Sequence, residues 1–294
     1  MLRSMYSGIA GMKGFQTQLD VVGNNIANVN TSGYKKGRVT FQDMMSQTVQ
    51  GASAPTDVRG GINAQQVGLG SSIGAIDNIH TQGNRQTTNR VLDLALEGDG
   101  MFVFGNNITA DPAVGATTDV DLNGDVNLSY SRAGNMYLDQ NGYVVNAQGQ
   151  YLLGENSGGA TGLIRIPEGA ASFSIQGNGV VNYIDETGQT EVAGQIQVAK
   201  FSNPGGLEKI GNNMYRASVN DGMIEDVPGS GLPELIEPET EGTATIVSGS
   251  LEMSNVDLAE EFTNMIVSQR GFQANTRIIT TSDEILQELV NLKR

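Results

Sequence analysis

At 294 residues the chain is long enough to bury a sizeable core and to hold one large domain or two ordinary ones. A net charge of −15 argues against nucleic acid as a partner, since that needs a basic footprint, and the lack of cysteine excludes disulfides, thiolate metal sites and cysteine nucleophiles. Thirty-nine glycines beside only 7 prolines mark turns rather than a disordered linker, and with 5% aromatic residues and no tryptophan the cores must be built from Leu, Ile, Val and Met.

The first predicted element is a helix over about residues 2–29. Met5, Met12, Leu19 and Ile26 recur at sevens, with Ile9, Phe15, Val22 and Val29 beside them. A strict seven-residue repeat keeps one seam on one side of a helix only if that helix supercoils around a partner. Gly8, Gly11, Gly14 and Gly23 each cost about 1 kcal/mol relative to Ala, so this helix is expected to need a packing partner, and small residues let another backbone approach closely. Thr31, Ser32 and Gly33 supply the stop. Residues 1–40 are basic, with Arg3, Lys13, Lys35, Lys36 and Arg38 against Asp20 alone, whereas the middle of the chain is strongly acidic. Residues 1–14 alternate apolar and polar side chains without an h-region, so no cleaved signal is expected. Because no apolar run approaches about 18 residues, no membrane insertion is expected either.

Residues 34–90 are irregular and polar, with Gly60-Gly61 and Gly68-Leu69-Gly70 steps, and read as an extended connector lying on other structure. Residues 91–242 form a predicted β-rich domain. Leu92, Leu94 and Leu96 share a face, Met101–Phe104 is a short apolar run, and residues 136–145 read as a hairpin turning at Asn141-Gly142. Residues 172–176, 180–184 and 195–201 continue the strand pattern, and the acidic stretch 222–242, holding Pro228, Pro233 and Pro238, reads as a surface loop. A return connector, 243–256, leads to a C-terminal helix over 257–294. There Leu258, Met265, Phe272, Ile279 and Leu286 recur at sevens, with Phe262 alongside, and Asp257 and Glu260 have capping-box spacing. The expected fold class is α+β: paired N- and C-terminal coiled-coil helices joined through an extended connector to a central mainly-β domain.

No catalytic constellation emerges. His80 is the only histidine and has no acid–nucleophile pattern around it; Gly98-Asp99-Gly100 and Gly177-Asn178-Gly179 read as turns. Asp119–Asn127 imitates the first nine positions of an EF-hand loop, but position 12 is Tyr130, so an acidic turn is the better reading. No catalytic, cofactor-binding or metal-ligating residue is therefore assigned, and no cofactor is expected. A secreted β-rich module binding calcium or carbohydrate through the central domain is the rival from another class.

Two stretches carry a family resemblance. Residues 24–35, Asn-Asn-Ile-Ala-Asn-Val-Asn-Thr-Ser-Gly-Tyr-Lys, resemble the N-terminal signature of bacterial flagellar axial proteins, the rod and hook subunits. Residues 249–258, 265–270 and 285–292 resemble their C-terminal signature. Within that family, residues 92–100, 130–135 and 206–211 are most similar to the hook branch, with the distal rod branch sharing most of these features. The resemblance implies a tubular homopolymer outside the cytoplasm, in the flagellar hook, acting as a flexible universal joint that transmits torque from rod to filament. The terminal helices would line its inner tube and the β domain would face outward. Implied partners are other copies of the chain, the distal rod protein, hook cap and hook-length control proteins, the hook–filament junction protein and the flagellar type III export apparatus. Phe41 and Met45 fit the Phe-x-x-x-apolar pattern proposed for recognition at the export gate, a weak signal for which an ordinary buried Phe–Met pair is the better reading.

Overall fold

Helix α1 (Leu2–Ala27) and helix α2 (Leu258–Leu292) run antiparallel against each other in the computed structural model. The structure describes residues 2–55, 59–106, 108, 127–158, 160–224, 235–240 and 242–292. Contacts of Gly8 with Ile279, Gly11 with Asn275 and Gly271 with Phe15 fix the direction. The helix starts follow local chemistry. Asp257 caps α2, its Oδ1 accepting from the N–H of Ala259 (2.8 Å) and Glu260 (3.4 Å). The expected reciprocal half of a capping box is not formed: Glu260 instead pairs with Lys36 at 2.9 Å. At the other end α1 stops at Ala27, and Gly33 takes φ +68°, a conformation that costs glycine little.

Where the sequence reads as a connector, the chain forms a long two-stranded ribbon. Gly37–Asp43 pairs antiparallel with Ser71–Asn78, and Ser46–Gln50 with Gln65–Gly68. The first pair is half-buried; the second is exposed on both faces, so it shows no apolar alternation by which sequence could reveal it. The ribbon base lies on α1, with Phe41 against Gly14 and Gly70 against Ser7 and Ala10. Residues 1–27, 36–79 and 256–294 make up this first compact unit.

The second unit comprises residues 28–35 and 80–255. Its centre is the strand Met101–Asn106, flanked by Asn127–Ser131 and Tyr151–Asn156 in an antiparallel sheet. Outward from Tyr151–Asn156 follow Thr190–Ile196, Val180–Ile184 and Ser172–Ile175; beyond Asn127–Ser131 lie Met214–Arg216 and Glu208–Gly211. The apolar run at Met101–Phe104 has a physical reason, because both sheet faces are covered. Phe102 and Phe104 enter one cluster with Leu94, Leu96, Met136, Leu152 and Ile164, while Met101 and Val103 enter another with Tyr130, Tyr143, Leu153 and Tyr215. The expected hairpin is present: Tyr137–Leu138 pairs with Val144–Val145, and Gly142 takes φ +79° in the turn. The segment expected as a return connector carries two strands, Thr245–Ser248 on Leu94–Glu97 and Ser250–Glu252 on Arg85–Thr87. The strand Leu235–Ile236, inside the stretch read as a loop, pairs with Val198–Ala199. Of the calcium-like loop, residues 119–126 lie outside the described residues.

Candidate assembly surface

The seam between α1 and α2 is built from small and polar side chains. On α2 it follows Glu261, Ser268, Asn275 and Ser282, again at sevens, all buried or half-buried. Against these α1 presents Gly8 and Gly11, together with Phe15 and Val22, while Gly14 faces Phe41 of the ribbon. A Cβ on Gly11 would meet Asn275 Nδ2 at 2.5 Å, and one on Gly271 would meet the Phe15 ring at 2.6 Å, so glycine is what permits this separation. One end of the seam is closed by Asn25: its Nδ2 donates to Gly37 O (2.9 Å) and Glu261 Oε2 (3.2 Å), and its Oδ1 accepts from Gly37 N–H (3.0 Å).

This arrangement leaves much of the apolar repeats beside the intrachain seam, with Phe15, Val22 and Ile279 the members that enter it. In α1, Val22 is buried at 4% exposure; Met5, Met12, Phe15, Leu19 and Ile26 are half-buried and Ile9 is exposed. Val29 lies past the end of α1 and is half-buried. Phe15 packs on Phe41 with ring centroids 6.0 Å apart, and Met12 Sδ accepts from Thr276 Oγ1 at 3.4 Å. In α2, Met265, Ile279 and Leu286 are half-buried, while Leu258, Phe262 and Phe272 are exposed. Ile266, Val267, Ile278, Ile285, Leu289, Val290 and Leu292 are exposed as well, so among the described residues α2 carries exposed apolar side chains along its length. Of the two candidate export residues, Phe41 is partly engaged by Phe15 and Met45 is 85% exposed.

A buried ionic node in the second unit was not legible as a site. Lys35 Nζ lies 2.6 Å from Glu252 Oε1 and donates to Thr81 O at 2.7 Å; both ionic side chains are at most 1% exposed. Arg132 reaches Glu252 Oε2 at 3.3 Å and Gly98 O at 2.7 Å. Gly83 N–H donates to Glu252 Oε1 (2.9 Å), and Gly33 N–H donates to the Glu252 main-chain carbonyl (2.8 Å). Asn213 Nδ2 adds a bond to Ser32 O at 2.8 Å. Burial holds the Lys35 ammonium below its ordinary pKa, opposed by the Glu252 charge. The node ties residues 32–35 to residue 252, inside the two stretches that carry the family resemblance. The only signal in sequence was that resemblance, since Lys35, Arg132 and Glu252 are far apart along the chain.

His80 stands beside this node, its ring 5.3 Å from that of Tyr215, and both of its buried ring nitrogens have no hydrogen-bond partner. Burial first, then the charges of Lys35, Arg132 and Lys209, lower its pKa to about 4. Among the described residues no group of three or more His, Asp or Glu side chains could hold a metal, and no helix is long and apolar enough to cross a membrane.

Residues 5–35 match the family model described as flagella basal body rod protein, and residues 247–292 match that of the flagellar basal body rod FlgEFG protein C-terminal region. Residues 120–183 match the flagellar hook protein FlgE/F/G D1 domain. The flagellar basal-body rod protein FlgG of Bacillus subtilis (strain 168) is 52% identical over 296 residues that cover all of both chains. FlgG of Borreliella burgdorferi is 35% identical over 299 residues, again with full coverage of both. The flagellar hook protein FlgE of the same organism is 32% identical over 450 residues, also spanning both chains entirely.

Proposed function

This chain belongs to the flagellar rod and hook protein family of structural, non-enzymatic subunits, and from that premise we propose that it is the distal rod subunit of the flagellar basal body. The observation that carries rod over hook is length together with identity. Rod relatives align over 296 and 299 positions, nearly the 294 of this chain, whereas the hook relative needs 450. The hook assignment expected from residues 92–100, 130–135 and 206–211 becomes the second reading, supported by the hook D1 match and the 32% identity.

The exposed apolar face of α2 supports self-assembly into a tube. Apolar side chains left exposed along a helix mark surfaces that a partner covers, and each one that neighbouring copies cover contributes on the order of 1 kcal/mol. In this reading Leu258, Phe262 and Phe272 serve contacts between copies, while Val22, Met265 and Ile279 hold the helix pair together. Export through the flagellar type III apparatus, with Phe41 and Met45 read before folding, belongs to the same proposal. Basal bodies isolated from cells lacking the protein test it. Rod function predicts that both the distal rod and everything beyond it are missing; a complete rod lacking only the curved hook favours the second reading.

A further inference from the structure

Helix α2 outruns its partner. With Gly8 against Ile279 and Gly11 against Asn275, the start of α1 at Leu2 is level with α2 near Ile285, and the segment from there to Leu292 continues past it. That overhang is about 10 Å of helix at ~1.5 Å per residue. Ile285, Leu289 and Leu292 stand on one side of it at i, i+4 and i+7, with exposures of 48%, 48% and 83%. Asp283, Glu284 and Glu288 accompany them, and residues 278–292 include no basic side chain. On the flank of α1 lies a groove of ≈ 420 Å³ lined by Tyr6, Ile9, Ala10, Met44 and Leu69, with Arg3 and Lys13 on its rim. The α2 segment level with the groove packs on Gly8 and Gly11 through Ile279 and Asn275 and does not line it, and the end of that helix runs on past the α1 start.

We propose that the protruding end of α2 from one copy seats in this groove of the next. Ile285, Leu289 and Leu292 pack on Tyr6, Ile9, Met44 and Leu69, while Glu284 and Glu288 meet Arg3 and Lys13. The inference rests on the self-assembly reading above and names the surfaces that join. The two surfaces differ, so the contact is heterologous, and repetition gives an open helical polymer rather than a closed dimer. Copies of net charge −15 repel one another, so a contact that brings opposite charges together also selects the register in which they meet.

The absence of cysteine makes the test clean. Full-length Ile9→Cys and Leu289→Cys chains are mixed, assembled into tubes and oxidised, with Tyr6→Cys and Leu292→Cys as a second pair. A disulfide-linked dimer is expected from each mixture and from neither variant alone. Arg3→Glu with Lys13→Glu should raise the critical concentration for tube formation at least about tenfold, and co-assembly with Glu284→Lys, Glu288→Lys chains should restore it. Tubes that form without either cross-link, or that ignore the charge reversal, overturn the groove contact while self-assembly stands. If wild-type chains form no tubes at all, the self-assembly reading fails and this inference falls with it.

Discussion

Glu252 concentrates more consequence than any other side chain in the molecule. Its carboxylate is buried with Lys35 and Arg132 and also accepts from Gly83 N–H, so every oxygen has a partner. Removing one partner of such a pair strands the other charge, which costs about 3–5 kcal/mol, far more than the pair contributes over apolar residues. Lys35→Met should therefore lower the urea midpoint of the β unit by an amount equivalent to about 3 kcal/mol, followed by circular dichroism. A change under about 1 kcal/mol would mean that solvent reaches the node. His80 adds a pH dependence of definite sign. Its pKa is about 4 when folded, against 6.5 unfolded, so between those values the unfolded chain binds a proton that the folded chain refuses. Stability from this group is complete above pH 6.5 and is lost as pH falls towards 4, by on the order of 2 kcal/mol. Lys35, Arg132, Lys209, Tyr215, Asp99 and Glu252 all lie around it, so His80→Gln is the control. The difference between wild-type and variant urea midpoints should shrink from pH 7.5 to pH 4.5; parallel curves would refute the assignment.

For the helix pair, the glycines set the distance and the distance sets which residues face inward. The seven-residue apolar rows in α1 and α2 were plain in sequence, and so was the pairing of the termini. Their phase was not. Sequence patterns weigh apolar side chains, whereas the intrachain seam follows Glu261, Ser268, Asn275 and Ser282, with Asn275 seated against Gly11. Of the rows that looked like the seam, Phe15, Val22 and Ile279 enter it and most of the rest sit at its edge. Gly271→Val tests this geometry. Valine gains a few tenths of a kcal/mol in helix propensity over glycine. Its side chain, however, would enter the Phe15 ring, which Phe41 backs from the other side, and overpacking of that kind costs about 1–3 kcal/mol. A net loss is expected, read as a lower midpoint for thermal loss of the helical signal at 222 nm. Adding Phe15→Leu should recover part of it, and no recovery would show that the ring is not the obstacle.

Across the whole molecule, the strands at Leu94–Glu97, Met101–Asn106, Ser172–Ile175 and Val180–Ile184 and the Asn-Gly hairpin were legible in sequence; Asn127–Ser131, Tyr151–Asn156, Glu208–Gly211, Met214–Arg216, the ribbon of residues 37–78 and the composition of each unit were not. The reason is topological. Residues 28–35 leave α1 and join the β unit 45 or more positions before the rest of that unit begins at His80. No pattern within residues 28–35 announces that Lys35 will meet Glu252. The β domain drawn from strand patterns, residues 91–242, and even the longer stretch 80–255 therefore lack a part of the unit's own core. The comparison to make is between a fragment of residues 28–255 and one of residues 80–255. Both keep the sheet and Glu252, but the shorter one has lost Lys35 and the Gly33 N–H, so Glu252 retains only Arg132 and Gly83. With a buried charge half-satisfied, the shorter fragment should unfold at a urea midpoint lower by the equivalent of about 3 kcal/mol, and be cleaved faster by limited proteolysis. Neither fragment should form tubes, because α2 is absent from both. Equal resistance in the two fragments would mean that residues 28–35 merely lie on the β unit, and regular tubes from either would remove the terminal helices from the assembly mechanism altogether.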